Sequence, residues 1–120
     1  MRETAHTPGE VMQAMVTAFD TGEVSDIAAV VHSTYLDHQG LPGQQPVTGT
    51  DGFVQVVETA RRGFTQLSVT IEDMIENGDR VAARLRWNGV TTSGERAQRE
   101  TIDIIVVRGG QAIEHWGARS

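Results

Sequence analysis

The spacing of apolar residues changes character near Leu67, and that change restricts the fold more than any other feature of the chain. Upstream the spacing is helical. Thr7-Pro8-Gly9-Glu10 joins an N-cap threonine, a proline at the first helical position and a glutamate three residues after the cap. Val11, Met12, Met15 and Phe19 follow at three- and four-residue intervals, and Gly22 supplies a stop. Ser25-Asp26 caps a second, short predicted helix through Ile27, Ala28, Val30 and Val31 to about His32, and Ser33 to His38 reads as a short extended piece. Gln39 to Gly49 holds three glycines and two prolines in eleven residues and is predicted to be a loop. A third helix is predicted from Thr50-Asp51, with Phe53, Val56, Val57, Ala60 and Phe64 on one face and Arg61-Arg62 at its C-terminal dipole.

Downstream the period is two. Leu67, Val69 and Ile71 alternate with Ser68, Thr70 and Glu72; Asn77-Gly78 marks a hairpin; Val81, Ala83, Leu85 and Trp87 alternate with Ala82, Arg84, Arg86 and Asn88. Thr101 to Val107 is β-branched except at Asp103, and Gly109-Gly110 turns the chain into a last strand, Ala112 to Trp116. Tight turns between strands leave no room for crossover helices, so a parallel βαβ sheet is excluded. The expected fold is α+β: three N-terminal helices packed on a curved, four-stranded antiparallel sheet, with an apolar pocket between them.

Composition narrows the function. The 120 residues suit a single domain over 1–120, and the formal charge is 10 − 16 = −6, every basic residue being arginine. Up to Glu58 there is one arginine against eight carboxylates, and from Thr59 onward nine arginines alternate with eight carboxylates. No basic stripe exists, so nucleic acid and anionic membrane are not expected partners. The absence of cysteine removes thiolate chemistry, disulfides and cysteine-held metals. The four histidines are dispersed, and no phosphate-binding glycine motif or nucleophile elbow is present, so no metal and no cofactor are expected. The N-terminus lacks an apolar signal core, and no apolar run approaches the roughly 20 residues of a membrane span, which points to a cytoplasmic protein.

Asp103 is the leading catalytic candidate. A carboxylate between Ile102 and Ile104-Ile105 should be partly desolvated, which moves its pKa toward the range of a general acid or base. The alternative is a structural role, paired with Arg84 or Arg86 of the neighbouring strand or facing solvent. His38, beside the glycine-rich segment, is the second catalytic candidate, as proton shuttle or hydrogen-bond donor; an exposed, turn-capping histidine is the alternative. His32 reads as a partner of a helix C-terminus. Phe19, Tyr35, Trp87 and Trp116 are candidate substrate-binding residues, unless they simply fill the core.

Tyr35-Leu36-Asp37-His38, Gly49-Thr50-Asp51-Gly52-Phe53, Val69 to Ile75, Gly78 to Arg84, Ile102-Asp103-Ile104 and Ile113-Glu114-His115-Trp116 recur in an order and spacing that resembles the SnoaL-like polyketide cyclase family of the nuclear-transport-factor-two-like superfamily. The resemblance covers about residues 10 to 117. It implies a cone-shaped α+β barrel around an apolar pocket, with a late-strand aspartate catalysing an intramolecular aldol closure without metal or cofactor. Asp103 falls at that position, His38 where the early strand meets the pocket, and Trp116 in the closing Glu-His-Trp motif. Together these readings predict a cofactor-free acid–base enzyme of cyclase or isomerase type, acting on a small apolar carbonyl compound. The alternative is a non-catalytic binder of small molecules with the same fold. A homodimer through the open sheet face is expected, with Arg84 and Arg86 near the interface.

Overall fold

The computed structural model describes residues 5–39 and 46–119. Most of the segment predicted as a loop, residues 40–45, therefore lies outside the described residues. Among those described there are two α-helices, α1 (Pro8–Thr21) and α2 (Gly49–Arg62), and six strands: β1 (Val31–Asp37), β2 (Val47–Thr48), β3 (Phe64–Asn77), β4 (Arg80–Thr91), β5 (Arg96–Arg108) and β6 (Gln111–Arg119).

Helix α1 begins as its sequence dictates. Thr7 Oγ1 accepts from the Glu10 amide at 3.2 Å while Glu10 Oε1 accepts from the Thr7 amide at 2.8 Å, so both halves of the capping box form. It ends at Gly22, whose backbone is left-handed (φ +80°) and whose amide donates to Ala18. Arg61 does not serve the end of its own helix. Its Nη1 donates to the carbonyls of Phe19 (2.6 Å) and Asp20 (2.9 Å), closing the orphan acceptors of α1 with a side chain from α2.

The predicted second helix is a correction. Only one 3₁₀ turn forms, Ile27–Ala29, because Val31 already belongs to β1. The Val30 carbonyl accepts from the Ala112 amide at 2.7 Å, and Val31 registers with Ala112 of β6. A β-branched pair beside a strand edge gains more from that ladder than from another helical turn. His32 accordingly sits on a strand, its Nδ1 2.8 Å from Thr34 Oγ1, and not at a helix end.

The sheet order is β2-β1-β6-β5-β4-β3. The predicted meander is present as β3 to β6, but the sheet is wider than four strands: β1 lies parallel to β6 and β2 antiparallel to β1. Register shifts at Phe64/Gln66 and Ile71/Asp73 in the β3–β4 ladder and at Val106/Val107 in the β5–β6 ladder bend the sheet. The β5–β6 turn needs two residues with positive φ and has them in Gly109 (+58°) and Gly110 (+79°). The helices cover the concave face. Val11, Met12, Met15 and Val16 of α1 and Phe53 and Val57 of α2 pack against Tyr35, Val69, Val81, Leu85 and Ile105 in one apolar cluster. Fully burying a side chain of this kind stabilises by roughly 1.5–3 kcal/mol.

Candidate active site

Strand periodicity decides which side chains reach the space under the helices. On the concave face β1 presents Tyr35 and Asp37, β4 Leu85 and Trp87, β5 Thr101, Asp103 and Ile105, and β6 His115; these line a cavity of about 540 Å³. Phe19 lies between two neighbours, its ring edge-on to Phe53 at 5.5 Å and to Trp87 at 5.2 Å, and Tyr35 meets Phe53 edge-on at 5.9 Å. The walls are thus mostly aromatic and aliphatic, and the buried carboxylates gather at one place.

That place is His115. Its Nδ1 lies 2.8 Å from Asp37 Oδ1 and its Nε2 2.8 Å from Asp103 Oδ1. A neutral imidazole has one N–H, so only the doubly protonated ring donates to both carboxylates. Burial alone would lower the His115 pKa, but the hydrogen bonds to Asp103 and Asp37 and their two charges outweigh it and push the value up to about 9. The group is therefore a cation between two anions, with the Asp37 and Asp103 residues 2% and 8% exposed.

The carboxylates are oriented by further donors. Asp103 Oδ2 accepts from the Thr101 hydroxyl at 2.7 Å, and Thr101 Oγ1 accepts in turn from the Trp87 indole N–H at 3.0 Å. The Tyr35 hydroxyl donates to Asp37 Oδ2 at 3.2 Å, and the Gln39 amide donates to Asp37 Oδ1 at 3.0 Å. Burial and the adjacent Asp37 charge raise the Tyr35 pKa, so it stays a phenol. Gly117 faces Asp103 across the β5–β6 ladder. A Cβ there would stand 2.8 Å from Asp103 Oδ1 and 2.5 Å from Gln39 Oε1, so the missing side chain is what leaves room for both.

Of the residues singled out from sequence, Asp103, Tyr35, Trp87 and Phe19 line the cavity. His38 and Trp116 do not, and this is a correction. They lie on the opposite side of the sheet, with rings stacked at 4.9 Å and 11°, and His38 Nε2 is 2.6 Å from Glu114 Oε2. The reason is parity: Asp37 and His115 point inward, so their neighbours in sequence point outward. Arg84 and Arg86 also lie outside, paired with Asp73, Glu100 and Glu72, so the cation that meets Asp103 is His115 and not an arginine. Sequence reading missed His115, Asp37 and Thr101. The available signal was the two-residue spacing of Tyr35 with Asp37 and of Thr101 with Asp103. Among the described residues no group of three or more His, Cys, Asp or Glu side chains is placed to hold a metal ion, and no helix is long and apolar enough to cross a membrane.

A helix-covered, curved sheet whose concave face encloses an aromatic cavity with a buried carboxylate–imidazolium–carboxylate group defines a small α+β pocket protein. The chain belongs to the SnoaL-like polyketide cyclase family, whose model matches residues 9–119. It is 26% identical over 115 residues to the aklanonic acid methyl ester cyclase DnrD of Streptomyces peucetius, covering 88% of this chain and 79% of that protein. Among solved structures, a candidate polyketide cyclase from Bacillus cereus ATCC 10987 superposes with a TM-score of 0.83 at 27% identity, over 94% of this chain and 74% of that one. IdmH, a candidate polyketide cyclase from Streptomyces antibioticus, shares the fold at a TM-score of 0.81 and 22% identity, over 96% and 93% of the two chains.

Proposed function

We propose that this protein is an acid–base cyclase that closes a ring within a small, largely apolar carbonyl compound by an intramolecular aldol reaction, with no metal or cofactor. The observation that carries this reading is Asp103, a carboxyl group buried in a largely apolar cavity and held 2.8 Å from the His115 imidazolium. Asp103 removes a proton from the carbon beside a carbonyl, and the electron pair moves onto that carbonyl oxygen. The enolate carbon then attacks a second carbonyl of the same molecule, forming the new carbon–carbon bond. The proton returns from Asp103 to the resulting alkoxide, so substrate and product are isomers and nothing is oxidised or reduced. His115 keeps positive charge at the site throughout and fixes the carboxylate in place. Tyr35 spends its single O–H on Asp37, which leaves the Gln39 side-chain amide as a neutral donor at the same wall.

Asp103→Asn keeps size and polarity but cannot take up the proton. Turnover of aklanonic acid methyl ester, the substrate named for the Streptomyces peucetius relative, should fall about 10²- to 10⁴-fold with binding little changed, and a strong chelator should leave the parent rate as it was. A folded Asp103→Asn protein with parental turnover would remove Asp103 from the reaction. Both Asp103 oxygens already hold a donor, which favours a second reading, a non-catalytic binding module. Ligand binding with no turnover by the parent protein would select it. The convex face exposes Ile102 (40%) and Ile104 (37%) beside Trp116, and this supports a homodimer formed through that face; sedimentation at micromolar concentration with only a 13.0 kDa species would refute it.

A further inference from the structure

Two arginines line the cavity where the reaction does not need them. Arg99 lies on β5, and Arg119 on β6 registers with Thr101. Arg99, Thr101 and Asp103 alternate along one face of β5, so the arginines stand toward the open end of the strip that carries the site, Arg99 four residues from Asp103. At the rise of an extended strand that is roughly 13 Å. The two carboxylates lining the cavity, Asp37 and Asp103, are held by His115. Among the described residues neither Arg99 nor Arg119 has an ion-pair partner, whereas Arg84 and Arg86 on the other face are paired. Partial burial, and after it the like charge of Arg119, lower the Arg99 pKa, which places the two guanidinium groups near each other. Both side chains are exposed where they line the cavity, so a ligand can reach them from solvent.

We infer that Arg99 and Arg119 form an anion clamp, and that the natural ligand is an organic acid whose ring system fills the aromatic cavity while its carboxylate lies between the two guanidinium groups. Planar guanidinium forks match a carboxylate in two-point geometry, and both gain the counter-charge that the protein does not supply. The inference rests on the cavity reading above and adds the class of substrate. A carboxylate held at that end of the strand, roughly 13 Å along it from Asp103, also fixes which carbonyl of an elongated substrate reaches Asp103, because binding at one end sets the register of the other.

Anthraquinone-2-carboxylate and its methyl ester, which differ by one charge, test this by calorimetric titration into the full chain. At low salt the acid should bind about tenfold more tightly than the ester, the effect of roughly one charge-assisted contact. In the Arg99→Gln, Arg119→Gln double variant the preference should fall below about twofold while the ester binds as before, and about 0.5 M salt should shrink it in the parent protein. Equal affinities in the parent, or a preference that survives in the double variant, would overturn the clamp and leave the Asp103 chemistry standing. Binding of neither compound would overturn both the clamp and the cavity as a ligand site.

Discussion

Two histidines hold carboxylates on opposite faces of the same sheet, and distance does not separate them: His115 lies 2.8 Å from each of two aspartates, and His38 lies 2.6 Å from Glu114. Surroundings do. The His115 side chain is 12% exposed beside aspartates of 3% and 12%, whereas His38 and Glu114 are 36% and 33% exposed. Water around the outer pair supplies most of what the partners give each other, so the contact contributes little. Inside, each charge depends on the others. The inner group is both costly to break and usable for chemistry, and the difference between the two faces is one of solvation, not of contact length.

The most severe way to break the inner group is His115→Ala, which leaves Asp37 and Asp103 buried together without a cation. We expect a loss of about 3–5 kcal/mol at neutral pH, measured by urea unfolding, partly recovered in acid where one carboxyl takes a proton. An unchanged midpoint would show that the cation carries no stability. Titration of the parent protein is the next test. The His115 pKa rises from 6.5 in the unfolded chain to about 9, so the folded state binds the proton more tightly. Its contribution is complete below about pH 6.5 and is lost as pH climbs through 9, a fall of a few kcal/mol that His115→Gln should flatten. A parent stability constant from pH 6.5 to 9.5 would contradict the imidazolium. Gly117→Ala should cost about 1–3 kcal/mol and slow turnover, because its Cβ meets Asp103 and Gln39; a variant as stable as the parent would mean that the wall yields. Least affected should be His38→Gln, at under about 1 kcal/mol with turnover retained. A large loss of turnover there would return His38 to the mechanism.

The sequence carried the parts of this site unevenly, and the reason is geometric. Capping at Thr7 and Glu10, the helical faces of α1 and, up to Ala60, of α2, the alternation of β3 to β6 and the Gly109-Gly110 turn are all local, and local chemistry is enough to specify them, whereas Phe64, expected on the α2 face, instead opens β3. Asp103 stood out because a charge among β-branched residues is anomalous wherever the strand lies. Its partners did not stand out, because choosing between Asp37 and His38, or between His115 and Trp116, means knowing which side of a strand faces the helices. A shift of one residue reverses that choice. The turn after Ile27 is not legible locally for a related reason: only the β6 edge, more than 80 residues away, makes Val31 a strand residue.

The parallel seam between β1 and β6 also bears on how the molecule assembles. Strands β3 to β6 are joined by short connections and can zip together as successive hairpins, whereas β1 must close a loop of nearly 80 residues before Asp37 meets His115. Contact order predicts that the hairpins belong to the rate-limiting nucleus and that the seam closes after it, with the ion group absent while the barrier is crossed. Substitutions that weaken it, Asp37→Asn among them, would speed unfolding and leave the refolding rate nearly as it was, and a refolding rate that fell in step with stability would place the seam inside the nucleus instead. On that order of events the buried charged group would act as a latch, setting how long the molecule stays closed and not how fast it closes.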